Sequence, residues 1–198
     1  MFLEPHFHNQ RVGWIEIIVG SMFSGKTEEL LRRLKRSEIA RQKVVLFKTS
    51  LDDRYSEEHV VSHDSNIMVA RKVDNSAEIS HWAENYEVVG IDEVQFFDEG
   101  IIEVSQKLAS QGKRVIMAGL DMDFSGRPFG PVPGLMAVAE YVTKLHAICQ
   151  QCGRLATHSY RLMPSRDQIL LGASEQYEAR CRVCFGMGNI LDFKSVDN

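Results

Sequence analysis

At 198 residues, 44% of them hydrophobic and 25% charged, the chain has room for one α/β domain of ordinary size and a small appendage, but not for a second full domain. A formal net charge of −4 gives no chain-wide electrostatic reason to expect nucleic acid or an anionic membrane as a partner. No stretch approaches the ~20 apolar residues that span a bilayer, and residues 1–11 carry no signal-like apolar run, so the expectation is a cytoplasmic protein with no membrane and no nucleic-acid partner.

In chain order, Trp14-Ile15-Glu16-Ile17-Ile18-Val19-Gly20 is a short apolar run ending on glycine and predicts a buried strand. A helical pattern over about 26–41 follows, with Leu30, Leu31 and Leu34 on one face. Its basic residues Arg32, Arg33, Lys35 and Arg36 avoid that face and lie among Glu28, Glu29 and Glu38, which reads as a solvated helix surface rather than a nucleic-acid stripe. Short apolar runs at 44–47, 88–91 and 115–118 predict three more strands, and helical stretches fit around 77–84 and 100–110. Strands alternating with helices predict an α/β fold with a parallel sheet flanked by helices. Ligands of such sheets sit beyond the carboxyl ends of the strands, so the polar, glycine- and proline-rich segments 20–27, 52–64, 92–97 and 121–134 belong at the site. Composition shifts after Ile148, where the cysteines begin, and the domains are drawn as 1–142 and 143–198, with the boundary near Thr143.

Gly20-Ser21-Met22-Phe23-Ser24-Gly25-Lys26-Thr27 matches G-x-x-x-x-G-K-[ST], the P-loop, between the strand and the helix that the motif requires. Bare glycine backbone lets several N–H groups wrap phosphates while the helix presents its positive end. Lys26 is placed at the β- and γ-phosphates of a nucleoside triphosphate, and the Thr27 hydroxyl on Mg²⁺. The second carboxylate that such a loop needs stands at the end of an apolar strand, at Asp92. Glu93 follows as the candidate general base, orienting water in an ATPase or accepting an acceptor hydroxyl's proton in a kinase. The P-loop alone does not separate the two.

Cys149-Gln150-Gln151-Cys152 and Cys181-Arg182-Val183-Cys184 are two C-x-x-C pairs with 28 residues between them. In a reducing compartment four such thiolates close a tetrahedral Zn²⁺ site with no open position, and Gly153 and Gly186 suit tight knuckle turns. The insert exceeds the usual ribbon spacing of about 15–20 residues. It reads as a hairpin whose arms are 156–162 and 168–172, a candidate lid pinned at its base by the metal. A zinc-ribbon ATPase acting as a nucleic-acid-binding module is the rival reading.

The loop at 20–27, Asp92-Glu93-Val94-Gln95-Phe96-Phe97, Gly119-Leu120-Asp121, Arg127-Pro128-Phe129-Gly130, Gly172-Ala173 with Tyr177, and both cysteine pairs together resemble the thymidine kinase family with a zinc-bearing lasso, found in many bacteria and in animal cytosol. The resemblance covers nearly the whole chain. It implies a P-loop NTPase-like domain with a small C-terminal zinc-ribbon or lasso domain, and transfer of the γ-phosphate of ATP to the 5′-hydroxyl of thymidine with Glu93 as base. It further implies that Asp52, Asp53, Arg54 and Gln95 lie on the nucleotide side. Phe124 and Tyr177 would flank the nucleoside, and Gln168, Ile169, Leu170, Leu171 and Gly172 would hold the thymine. Such kinases assemble as homotetramers or dimers, so the implied partners are ATP, thymidine and further copies of the chain, a homotetramer first. No histidine finds a functional match, and His63 and His158 are expected on the surface or in loops. Ser21 stands where the family often has proline, and the wording around Phe124 also departs from the commoner one.

Overall fold

The structure, a computed structural model, describes residues 12–50, 59–61, 67–163 and 176–187. In chain order these form β1 (Trp14–Val19), α1 (Lys26–Ile39), β2 (Val44–Thr49), β3 (His59–Val61), β4 (Ile67–Val69), β5 (Arg71–Val73), α2 (Ser76–Trp82) and β6 (Val88–Ile91). A 3₁₀ turn (Val94–Phe96), α3 (Gly100–Ser110), β7 (Arg114–Gly119), α4 (Val132–Val138), β8 (Tyr141–Lys144), β9 (Ala147–Ile148), β10 (Leu155–Ala156), β11 (His158–Arg161) and β12 (Tyr177–Arg180) follow. A last helical stretch occupies 182–187.

Six strands join in one sheet in the order β5-β2-β6-β7-β1-β8, and every pairing within it is parallel. The α/β reading with helices over a parallel sheet therefore holds. Alternation along the central strands sorts their side chains between two cores. Ile15, Ile17 and Val19 of β1 join Val89 and Ile91 of β6, Val115 and Met117 of β7, and Ile101 and Leu108 of α3 on one face. Ile18, Ile116, Ala118 and Val88 meet Leu30, Leu31 and Leu34 of α1 on the other. Strands covered on both faces read as continuous apolar runs, which is why β1, β6 and β7 stand out in the sequence. Burying each of the three α1 leucines contributes roughly 1.5–3 kcal/mol. Helix and sheet approach so closely there that a Cβ on Gly90 would lie 2.6 Å from Leu34 Cδ1.

Polar residues fasten the same face. Glu16, fully buried in mid-β1, accepts from Arg33 Nη1 of α1 at 2.8 Å and from Arg114 Nε of β7 at 2.7 Å. Arg33, expected with the helix's other basic residues on a solvated surface, is no part of one. It is fully buried and also donates to Glu29 at 2.8 Å and Thr143 at 2.9 Å. Arg32 is exposed and paired with Glu29.

The sheet's short edge strands β5 and β8, the antiparallel β3–β4 pair and α4 are additions to the sequence reading. β8 pairs with β1 through Lys144, so the main sheet runs across the boundary drawn near Thr143. Beyond it, β9 pairs with β10 and β11 with β12, both antiparallel. β11 lies in the first arm of the expected hairpin and pairs with Tyr177–Arg180, and the expected second arm, 168–172, lies outside the described residues.

Candidate active site

At the carboxyl end of β1 the chain turns through Gly20, where φ is 151° and an added Cβ would meet the Leu145 carbonyl oxygen at 2.4 Å and Ser24 Oγ at 2.8 Å. Phe23 (φ 65°) and Gly25 (φ 83°) complete the left-handed turns, and Gly25 caps α1 without any side-chain hydrogen bond. First-turn amides that no side chain caps are the donors that an anion at a helix N-terminus uses. Ser24 Oγ and Lys26 Nζ both donate to the Ser21 carbonyl, at 2.8 and 2.9 Å, so the lysine arches back over the loop. The Ser21 hydroxyl is buried with no hydrogen-bond partner among the described residues, an atom that the family's usual proline would not carry. Met22 N–H donates to Ser159 Oγ of β11 at 3.0 Å, and Phe23 packs on the small core around Cys149 and Cys181, so the loop leans on the C-terminal region.

Asp92 directly follows β6 and faces the first turn of α1, where Thr27 Oγ1 donates to its Oδ2 at 3.2 Å. Burial, and then the neighbouring charge of Glu93, push the Asp92 carboxyl up to about 7, against the pull of the Glu93 N–H, Lys26 and Thr27. Two adjacent carboxylates and a hydroxyl are hard oxygen donors whose surplus negative charge suits a divalent cation. Glu93 itself is left-handed at φ 52°. Such a conformation costs about 1–3 kcal/mol in a residue with a Cβ and tends to collect at functional sites. Gln95 Nε2 donates to Glu93 Oε2, while Gln95 Oε1 accepts from Leu120 N–H at 3.0 Å.

Past β7, Asp123 Oδ1 accepts from Ser125 N, Ser125 Oγ and Arg127 N at 2.8, 2.7 and 3.0 Å, which folds 123–127 into a tight turn bearing Phe124. The Arg161 guanidinium lies 3.7 Å from the centre of the Phe124 ring and donates from Nε and Nη2 to Tyr177 Oη at 3.1 and 2.8 Å. Phe124 and Tyr177, far apart in sequence, thus share one buried cation. Ser159 and Arg161 alternate on the same side of β11, so a single strand reaches both the phosphate loop and this aromatic pair.

The four cysteine sulfurs lie within 4.8 Å of one another, with Cys152 Sγ 3.6 Å from Cys181 Sγ. Four thiolates at the corners of a ZnS₄ tetrahedron stand about 3.8 Å apart, given a Zn–S bond of about 2.3 Å. The donor set could hold a structural metal and is consistent with zinc. Gly153, at φ 71°, closes the first knuckle by donating to the Cys149 carbonyl at 2.9 Å. Gly186 does not play the matching part: it lies inside the helical stretch 182–187. Burial works to raise the Cys149 thiol, but backbone N–H groups of Cys181, Gln151 and Cys152 outweigh it and hold the thiol at about 6. The Cys152 and Cys181 side chains push Cys184 up to about 12. Sulfurs gathered this closely would carry their thiolate charge together with a cation among them.

The family model described as Thymidine kinase matches residues 13–185. The chain belongs to the thymidine kinase family. The thymidine kinase of Rhodothermus sp. is 58% identical over 178 residues, which cover 90% of this chain and 84% of that protein. That of Porphyromonas gingivalis is 57% identical over 180 residues, 91% and 88% of the two chains. That of Bacteroides thetaiotaomicron is 54% identical over 186 residues, 93% and 94% of the two.

Of the residues that the thymidine kinase resemblance singles out, the structure brings together the 20–27 loop with Asp92, Asp92 with Glu93 and Gln95, Phe124 with Tyr177 through Arg161, and the four cysteines. Asp52, Asp53, Arg54, Gln168, Ile169, Leu170, Leu171 and Gly172 lie outside the described residues, as does His63. His158 departs from expectation: it is buried in β11, its ring centroid 4.4 Å from that of Phe185. Ser159 and Arg161 are the site residues that sequence reasoning passed over. Their only signal is the alternation of His158-Ser159-Tyr160-Arg161, which marks a strand but does not say that both faces are covered.

Proposed function

We propose that this member of the thymidine kinase family transfers the γ-phosphate of ATP in line to the 5′-hydroxyl of thymidine, with Glu93 taking the hydroxyl proton. The observation that carries the reading is the convergence of Thr27 Oγ1 and Asp92 Oδ2 at 3.2 Å beside the constrained Glu93. It sets a cation-holding pair of oxygens next to a carboxylate that is left to act on the acceptor.

The loop from Gly20 to Thr27 is assigned to the phosphates through its backbone, and Lys26 would exchange its bond to the Ser21 carbonyl for the β- and γ-phosphate oxygens. Thr27 and Asp92 fit Mg²⁺, which when bound would neutralise charge on the transferring phosphoryl group. Gly20, Gly25 and Phe23 supply the positive-φ turns that shape the loop for the phosphates. Phe124 and Tyr177 are assigned to the nucleoside, with the segment 168–172 over the base and Asp52, Asp53 and Arg54 on the nucleotide side. Zinc in the four-cysteine cluster would fix the two ends of that lasso, because Cys152 precedes it and Cys181 follows it.

A small C-terminal unit after the sheet strand β8, homotetrameric assembly, a cytoplasmic location and the lack of a nucleic-acid partner belong to the same proposal. No described helix is long and apolar enough to cross a membrane. A coupled assay offering ATP with each of several nucleosides tests the reading. Thymidine-dependent ADP release with formation of the 5′-monophosphate is expected, and nucleoside-independent ATP hydrolysis stimulated by nucleic acid would overturn it.

A further inference from the structure

The family resemblance places Gln95 with the nucleotide, but the geometry points elsewhere. We propose that Gln95 is a positioning residue, which locks the Glu93 carboxylate in the orientation from which it removes the acceptor's proton. This inference rests on the reading of Glu93 as the base.

Gln95 is only 3% exposed and lies in the 3₁₀ turn Val94–Phe96 directly after Glu93. A buried primary amide offers one acceptor and two donors, and its neighbours decide which way round it sits. Leu120 N–H points at Gln95 Oε1 across 3.0 Å, and only a carbonyl oxygen can receive it. The amide nitrogen is therefore turned to Glu93 Oε2, which it reaches with a short hydrogen bond. The flipped amide would set N–H against N–H and oxygen against carboxylate, so both ends of the contact agree on one orientation.

The clamp is held from two more sides by backbone. A Cβ on Gly119 at the end of β7 would lie 2.7 Å from Gln95 Oε1 and 2.7 Å from Val94 Cγ2, so the bare glycine is what lets the amide seat against the strand. A Cβ on Gly130 would come within 2.5 Å of the Gln95 carbonyl oxygen, which brings the loop that carries Phe124 against the same residue. Glu93 is meanwhile fixed at its backbone by its left-handed φ and by its N–H bond to Asp92 Oδ1 at 3.0 Å. Backbone and side-chain tip are both held, and a long carboxylate gripped at two ends has one placement. A glutamine suits this position where an acid would not. It donates to the carboxylate and adds no third negative charge beside Asp92 and Glu93.

The test is steady-state kinetics on Q95M and Q95E, with binding of a non-hydrolysable ATP analogue and thermal melting on the same preparations. Q95M keeps the unbranched length and removes both polar atoms, whereas Q95E keeps an acceptor for Leu120 N–H and sets a carboxylate against Glu93. The expected result is a fall in kcat of at least ~10-fold in Q95M, and a larger one in Q95E, as befits a displaced catalytic group. KM for ATP and the analogue's Kd should stay within about twofold, and the melting temperature near wild type. Three outcomes would overturn the inference: unchanged kcat; raised KM and Kd for ATP at unchanged kcat, which marks a nucleotide contact; or kcat falling only in step with melting temperature, which marks a structural part. E93Q measured alongside separates the two levels. An active E93Q removes the reading of the base, and an inactive E93Q beside a fully active Q95M removes only the role given to Gln95.

Discussion

Replacing Glu16 by leucine probes how the phosphate-binding helix is fastened to its sheet. Glu16 lies in the middle of β1, fully buried, and receives Arg33 Nη1 at 2.8 Å, Arg114 Nε at 2.7 Å and Trp14 Nε1 at 2.7 Å. Its carboxylate is shared by two guanidiniums that are 0% and 5% exposed. Removing one side of a buried ion pair costs about 3–5 kcal/mol, because the remaining charge stays desolvated. At roughly 2–4 °C per kcal/mol for a chain of this size, E16L should melt about 6–20 °C below wild type. Urea unfolding followed by circular dichroism gives the free energy directly. The double variant E16L/R33L should recover part of the loss, since one of the two stranded charges goes with its partner. A single variant within 1 kcal/mol of wild type would refute the argument that this network fixes α1.

Three further perturbations test the site. Because Phe23 packs on the cysteine core and Met22 N–H bonds Ser159, C181S should weaken an ATP analogue's binding as well as thymidine's, by roughly fivefold, the equivalent of one hydrogen bond of ~1 kcal/mol. Calorimetry showing intact nucleotide affinity would contradict that coupling. R161M removes the cation between Phe124 and Tyr177 and should raise KM for thymidine at least ~10-fold, the loss of about 1.5–3 kcal/mol, with KM for ATP unchanged. Equal effects on both substrates would contradict it. Burial, and then the Arg182 charge, hold His158 below the ordinary histidine value of 6.5, with Asp121 working against them. The unfolded chain therefore takes up this proton more readily than the folded one, and the stability that neutral His158 contributes is present above pH 6.5 and lost as pH falls below it. H158Q should melt below wild type at pH 7.5 by more than at pH 5.5, and a gap independent of pH would dismiss the role of its titration.

Sequence and structure agree best where a signal is local and periodic. The doubly covered strands β1, β6 and β7 are apolar throughout because neither face meets water, and the 20–27 loop is set by glycines at turns that other residues fill only under strain. What stayed hidden depends on long-range pairing. Arg33 looks like its neighbours Arg32 and Arg36, and only the placement of Glu16 across the helix–sheet interface shows that it is buried. The strand His158–Arg161 carries four polar or half-polar residues and resembles an exposed hairpin arm. It is buried because the phosphate loop, Phe124 and Phe185 cover it. The edge strands β5 and β8 are three and four residues long, too short for alternation to register. Thr27 and Asp92 are recognisable separately by motif and strand end, and their 3.2 Å approach is the structure's own contribution.

Glu93 is the group on which the proposed phosphoryl transfer depends. The most direct measurement is single-turnover formation of thymidine 5′-monophosphate by wild type and E93Q at saturating ATP, Mg²⁺ and thymidine, with an ATP analogue's Kd determined for both. Turnover should drop by at least ~10²-fold, within the range that a positioned base contributes, while nucleotide affinity stays the same. Near-wild-type turnover in E93Q would contradict the account.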